Sequence, residues 1–385
     1  MDRFESFINR LFPIIQPIPA GMYHRQEAPQ DAAPSRVHLR VEQDGSGVLI
    51  VNASTVLHLN QTATEFAYYM IQGLPDDQAV ANVAKRYQVS REHALADYAS
   101  LKDRLESLMG SEDLDPVTYL DFDRLDPYST NISAPYRLDC ALTYRTNDDK
   151  TGAAPIARVR RELLTEEWKQ ILDKAWNAGV PHVIFTGGEP TTRVDLCDLV
   201  AHAEKLGMVA GLLTDGLRLS DKEYLDELLN SGLDHIMLLL DPVDDQSWEA
   251  LRDLLAADIH VTVHLTVVPA NEMVAYTSLD MLAHMGIKAL SLSTTGTAYE
   301  NLLTALRQAA ADRQIPLVWD LPVPYSRFNP VEFELHEGQP HQEGAGKAWL
   351  YVEPDGDVQP AQGQNKVLGN LLSDPWDKIW KARQA

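Results

Sequence analysis

Apolar residues along this chain recur with two different periods, and the switch between them divides it. Val37-His-Leu-Arg-Val41 alternates and Gly47-Val-Leu-Ile-Val51 runs apolar. With Asp44-Gly45 between them, the pair predicts a β-hairpin. Thr55-Val-Leu-His-Leu59 predicts a third short strand. From Asn60 the period lengthens. Asn60 is placed to cap a helix, with Glu65 early in it and Phe66, Tyr69 and Met70 on one apolar face. A second helix is predicted after Pro75. A third follows Ser90, with Ala94, Tyr98, Leu101 and Leu105 along one side. Upstream, residues 24–36 are polar, rich in Pro and Ala, and read as a linker. Phe4, Phe7, Ile8 and Leu11 sit at helical spacing. They predict a helix docked on the protein body, or else one that lies on a membrane surface or binds a partner.

Residues 110–134 carry Asp, Pro and Ser and read as a second linker. An alternating series follows. Strands are predicted at 137–142, 182–186, 209–213, 235–240, 260–267 and 289–293, and helices at 166–178, 196–206, 221–231, 246–256, 278–285 and 300–312. This α/β alternation argues a parallel sheet with right-handed crossovers, as an open barrel or a doubly wound sheet, and does not choose between them. The tail departs from the pattern. Pro354-Asp-Gly356 predicts a hairpin turn between two apolar strands, and the stretch ending at Trp380 predicts an amphipathic helix.

Composition narrows the function. The 385 residues are 45% hydrophobic and 23% charged, as in a soluble globular protein of two or three domains. No apolar run reaches the roughly 18 residues of a membrane span, and the N-terminus lacks a signal-peptide core. The net charge of −23 disfavours nucleic acid as a partner and suits solubility or a basic peptide. Two cysteines, Cys140 and Cys197, make a disulfide framework improbable and a reducing cytoplasmic location the expectation.

The stretch from Tyr136 to Ala153 resembles the first strand and cluster loop of radical S-adenosylmethionine (SAM) enzymes. That family writes the loop C-x3-C-x2-C. The matching positions here are Thr146, Lys150 and Ala153. Thr186-Gly-Gly-Glu-Pro190, after the apolar Val183–Phe185, resembles the family's SAM-contacting strand end. The resemblance implies a partial (β/α)6 barrel over residues 135–320. It also implies that Gly187, Gly188, Glu189, Pro190, Thr214 and Ser291 are the cofactor-binding candidates, with Glu189 accepting from the SAM ammonium. Residues 37–110 resemble the PqqD-like winged-helix domain that recognises leader peptides, after an N-terminal helix and linker at 1–36. The resemblance implies that a peptide adds as a strand to the hairpin edge. Residues 321–385, past the linker at 111–134, resemble a degenerate SPASM-type extension. There Tyr325-Ser326-Arg327 and Gln359-Pro-Ala-Gln362 stand where cysteines are expected.

A cluster with one open iron needs three thiolates, and this chain offers two cysteines in all. Thr146 presents a neutral hydroxyl, Lys150 a cation and Ala153 no donor, so no iron–sulfur cluster is expected, and the sequence assigns no catalytic residue. Two readings stay open for the Gly187–Pro190 segment: a retained structural turn, or residual binding of SAM or a nucleotide. The functional expectation is a non-catalytic peptide-binding or scaffold partner in ribosomal-peptide modification, working beside a catalytically active radical SAM partner. The alternative is a SAM- or nucleotide-binding enzyme using non-radical chemistry in the barrel pocket. Lys150 is a candidate to fill the cluster space and pair with Glu189. His235 and His264 have no spacing that supports a metal.

Overall fold

The computed structural model describes residues 18–27, 35–53, 55–110, 132–147, 159, 161–267, 271–294, 299–318, 344–364 and 366–383. The expected N-terminal helix, Lys150, Ala153, Tyr325-Ser326-Arg327 and most of the linker at 111–134 lie outside them. The chain forms two compact units, Met1–Ser133 with Asn177–Gly179, and Ala134–Trp176 with Val180–Ala385.

The first unit is a four-stranded antiparallel sheet in the order β1 (Gly21–Glu27), β2 (Ser35–Val41), β3 (Gly47–Val51), β4 (Thr55–Leu59), with three helices. The helices are α1 (Gln61–Ile71), α2 (Asp76–Tyr87) and α3 (Arg91–Gly110). The local capping chemistry is as predicted: Ala63 N donates to Asn60 Oδ1 (2.9 Å) and His93 N to Ser90 Oγ (3.1 Å). Leu39, Leu49, Phe66, Val83, Ala94 and Tyr98 meet in one core.

Two expectations need correction here. Part of the stretch read as linker is strand: β1 pairs with β2 along its whole length, from Gly21 opposite Val41 to Glu27 opposite Ser35. It escapes hydrophobic patterning because it is an edge strand held mostly by its backbone ladder. Its ring contacts are Tyr23, edge-on to Tyr68 with centroids 4.8 Å apart, and His24, stacked on His38. The hairpin β2–β3 also has no open edge, since β1 bonds β2 and β4 bonds β3. Among the described residues the unpaired edges of this sheet belong to β1 and β4.

The second unit is built on six parallel strands, β5 (Arg137–Thr143), β6 (His182–Gly187), β7 (Val209–Thr214), β8 (His235–Leu239), β9 (His260–Val267) and β10 (Ala289–Thr294). They lie side by side in chain order, the arrangement of a partial (β/α)6 barrel. The alternating helices are α4 (Thr165–Ala178), α5 (Leu196–Leu206), α6 (Lys222–Asn230), α7 (Asp245–Ala256), α8 (Glu272–Met285) and α9 (Glu300–Asp312). Helix α8 begins six residues before the expected start at Ser278, and its buried stripe already starts at Ala275 and runs on through Ser278, Leu279 and Leu282. The tail extends the sheet: β11 (Trp349–Val352) runs parallel to β5, and β12 (Asp357–Gln359) and β13 (Gly369–Asn370) follow antiparallel. The predicted turn at Pro354–Gly356 joins β11 to β12, and α10 (Trp376–Ala382) closes the chain. No described helix is long and apolar enough to cross a membrane.

Register makes the two faces of the barrel sheet chemically different. Cys140 aligns with Phe185, Phe185 with Leu212, Leu212 with Ile236, Ile236 with Val261 and Val263 with Leu290. This face is apolar and matches the buried stripes of the helices, such as Trp168, Ile171 and Leu172 of α4. Neighbouring positions place Arg137, Asp139, His182, Thr186, His235, Thr262, His264 and Ser291 on the other face, where buried polar side chains prevail. Trp168 is fully buried at the helix–sheet seam. Trp168→Ala is expected to destabilise the fold by about 3–5 kcal/mol, read as a lower guanidinium midpoint with an unchanged slope.

Candidate functional site

The strand ends of β5, β6 and β7 meet in one hydrogen-bonded knot. After β6 the chain turns through Gly187 and Gly188 while folding against the segment that leaves β5. Gly188 N donates to Thr143 O and Glu189 N to Arg145 O, each at 2.6 Å. The glycines are needed for that approach. Gly187 sits at φ +132°, a Cβ on it would lie 2.1 Å from Thr143 O, and one on Gly188 would lie 2.2 Å from Arg145 O. The close approach these glycines permit is to the end of β5, the first strand of the barrel, and the residues that follow it.

Glu189 is the buried centre of the knot, 1% exposed. Its Oε1 accepts from Thr191 N (2.9 Å), Thr191 Oγ1 (2.6 Å) and Thr214 Oγ1 (2.7 Å), and its Oε2 accepts from Asp215 N (2.7 Å). Thr214 Oγ1 in turn accepts from Gly216 N (3.1 Å). Burial, and then the nearby Asp215 carboxylate, push the Glu189 carboxyl up to about 8, against the downward pull of the donated hydrogen bonds. Burial also raises Asp215. Asp215 is held by Leu217 N (3.0 Å) and by Asn147 Nδ2 at 3.1 and 2.9 Å from its two oxygens. Asn147 follows Thr146, so the loop that leaves β5 is fastened across to the end of β7. Pro190 begins a short 3-10 turn after Glu189.

Five of the six cofactor candidates, Gly187, Gly188, Glu189, Pro190 and Thr214, therefore form one cluster. Ser291 is elsewhere. Thr214 shares the parity of Leu212 on the apolar face, whereas Ser291 aligns with His264 on the polar face, at the far side of the sheet. His264 bridges two serines there, with Nδ1 2.9 Å from Ser291 Oγ and Nε2 2.9 Å from Ser293 Oγ. Burial lowers it to about 3, so the ring is neutral, with one nitrogen donating and the other accepting. His235 lies away from His264, at the start of β8, where its Nε2 is 2.9 Å from His182 Nε2; burial lowers it to about 4.

Asn147, Thr191 and Arg193 are the members sequence reasoning missed. Arg193 is 8% exposed; it pairs with Asp195 (2.7 Å) and donates to Leu142 O (3.2 Å) and Leu163 O (3.1 Å). The only available signal was the run of hydroxyl and charged residues directly after Pro190. In the tail, Glu353, Asp355 and Asp357 bring carboxylate oxygens within 4.8 Å of one another. Tyr144 donates to Glu353 and Asn370 to Asp357, which makes them part of a fastened hairpin turn.

The model of the radical SAM superfamily matches residues 140–273. A PqqA peptide cyclase of Streptomyces rochei is 30% identical over 261 residues, covering 60% of this chain and 71% of that protein. A PqqA peptide cyclase of Xanthomonas oryzae pv. oryzae is 36% identical over 118 residues, covering 31% of this chain and only 30% of that protein. Among solved structures, Streptococcus suis SuiB bound to its precursor peptide SuiA aligns with TM-score 0.59 at 14% identity, over 92% of this chain and 88% of that one. SuiB bound to S-adenosylmethionine aligns with TM-score 0.57 at 14% identity, over the same shares of the two chains. At that identity the likeness is one of fold.

Gly188→Ala is expected to destabilise the fold by about 2 kcal/mol or more, because the obstructing atoms are backbone; a denaturant titration reads it. The raised Glu189 carboxyl has a definite pH signature. Its folded value, about 8, lies above the unfolded one, so its contribution is full below about pH 4.5 and is lost as pH rises toward 8. Stability measured from pH 4.5 to 8 should therefore fall less steeply in Glu189→Gln than in the parent; parallel curves would contradict a raised carboxyl.

Proposed function

This chain belongs to the radical SAM superfamily, and we propose that within it the protein is a non-catalytic peptide-binding or scaffold partner in ribosomal-peptide modification. The observation that carries this reading is the donor set around the loop after β5. The family implies an iron–sulfur cluster, and three thiolates are required to hold one with an open iron. Cys140 is fully buried on the apolar face of β5, where burial pushes its thiol up, away from the thiolate. Cys197 lies in the first turn of α5, also raised by burial. The loop positions hold Thr146, Lys150 and Ala153 instead. These residues do not fit the group.

The same reading applies to SAM. Glu189, the residue expected to receive the SAM ammonium, already accepts four hydrogen bonds from its own loop and from the end of β7. Three of these bonds end on Oε1 and one on Oε2, so a ligand would meet a carboxyl already engaged by its own turn, without the iron chelation that supplies much of the affinity in the family.

The peptide half of the proposal draws on the relatives. Those similar in sequence are named for a peptide, PqqA, and SuiB is bound to its precursor peptide. We take residues 37–110, together with β1, as the peptide-recognition domain, and residues 135–320 and 321–385 as the barrel and a degenerate SPASM-like extension. An added peptide strand would extend the sheet at β1 or β4. A catalytically active paralogue is the partner that would supply the chemistry.

A second reading, SAM or nucleotide binding with non-radical chemistry, is favoured by the neutral polar lining of His264, Ser291 and Ser293 on the inner face. The two separate experimentally. After anaerobic reconstitution with iron and sulfide, the protein should stay colourless, bind no stoichiometric iron and release no 5′-deoxyadenosine on reduction. Calorimetry with SAM up to about 1 mM, a free energy of roughly −4 kcal/mol, should show no saturable heat. Saturable SAM binding without iron would favour the second reading. A brown protein that cleaves SAM would refute both.

A further inference from the structure

Parallel strands in chain order put every strand-to-helix junction at the same end of the barrel. The large apolar side chains left exposed in this unit gather there. Leu164 (69% exposed) stands just before α4, Val194 (94%) just before α5, Val243 (67%) between β8 and α7, and Met273 (80%) in the first turn of α8. Only Met281 and Val367 lie elsewhere in the unit among the described residues. Two of the four junctions are tied together, since Thr165 Oγ1 donates to Asp195 Oδ2 at 2.6 Å. Scattered exposed apolar residues need no explanation, but four at four separate junctions of one rim, with none described at the β7–α6 junction, do.

The rim also has one sign of unbalanced charge. Acids occupy the first turns of α4, α5, α7 and α8, which the helix dipole favours. Among the described residues, the bases at the same junctions are paired: Arg145 with Glu162 (3.0 Å), Arg161 with Glu167 (2.6 Å), Lys169 with Glu166 (2.9 Å) and Arg193 with Asp195 (2.7 Å). Asp198, Asp244, Asp245 and Glu272 are left in excess on a chain whose net charge is −23. Two copies facing rim to rim would oppose acid to acid. A partner with alternating aliphatic and cationic side chains complements both features, filling the space over the apolar tips while its ammonium groups meet the carboxylates.

We propose that this end of the barrel is a docking surface for a basic, aliphatic segment of another protein. The surface belongs to the second unit and does not depend on whether a cluster or SAM is bound. The test uses the full-length chain and two synthetic peptides of equal length and charge, one alternating Lys and Leu, the other Lys and Ser, at about 0.15 M salt, where weak long-range attraction is screened. The comparison is with the variant V194S/V243S/M273S, whose three positions are exposed and outside the Glu189 knot. The Lys–Leu peptide should bind the parent and lose about tenfold in affinity on the variant, while the weaker Lys–Ser binding stays unchanged. Equal binding of the Lys–Leu peptide to parent and variant, or no binding to either, would overturn the proposal. So would a parent that sediments as a dimer and a variant that sediments as a monomer, because the rim would then be covered by a second copy.

Discussion

Burying a carboxyl group is costly unless donors surround it, and the end of this barrel is organised around one such group. Glu189 finds its donors only because the ends of β6 and β7 lie next to each other in a parallel ladder. Its own amide reaches Arg145 O only because Gly187 and Gly188 have no side chains to hold the β5 segment away. The loop that leaves β5 is then drawn to the end of β7 by Asn147 and Asp215. Sheet register, glycine placement and the buried acid thus support one another.

That arrangement bears on how a radical SAM scaffold persists without thiolate ligands. The loop after β5 carries three positions that offer no soft anionic donor. Protein hydrogen bonds hold its described beginning instead: Arg145 N and Nε to Thr143 Oγ1, Arg145 to Glu162, and Asn147 to Asp215. The segment that resembles a SAM-contacting strand end has the same internal character, with its carboxylate turned onto its own turn. This network ties the beginning of the loop to β5, to Glu162 and to the end of β7.

The barrel sheet also separates stability from recognition. Its apolar face packs against helices, whereas its other face carries His264, Ser291, Ser293 and Thr266, buried and mutually hydrogen-bonded. A parallel sheet covered on both sides is ordinarily apolar throughout; here the buried polar side chains fall on the face opposite the apolar one. The rim above it, with apolar tips among acids, faces a different kind of contact.

The chain's own pattern was enough to place nearly every strand and helix of the barrel, because period and capping are local properties: Asn60, Ser90 and the alternation from Arg137 to Asp312 announce themselves in a few residues each. The residue types at Thr146, Lys150 and Ala153 are likewise a matter of sequence alone. Strand β1 was not legible, because an edge strand is stabilised by the backbone of a neighbour and leaves no hydrophobic alternation. Nor was the fate of the candidate site residues. Glu189 and Thr214 join while Ser291 faces elsewhere, and that follows from register across five strands, a relation between distant segments that only the folded sheet creates.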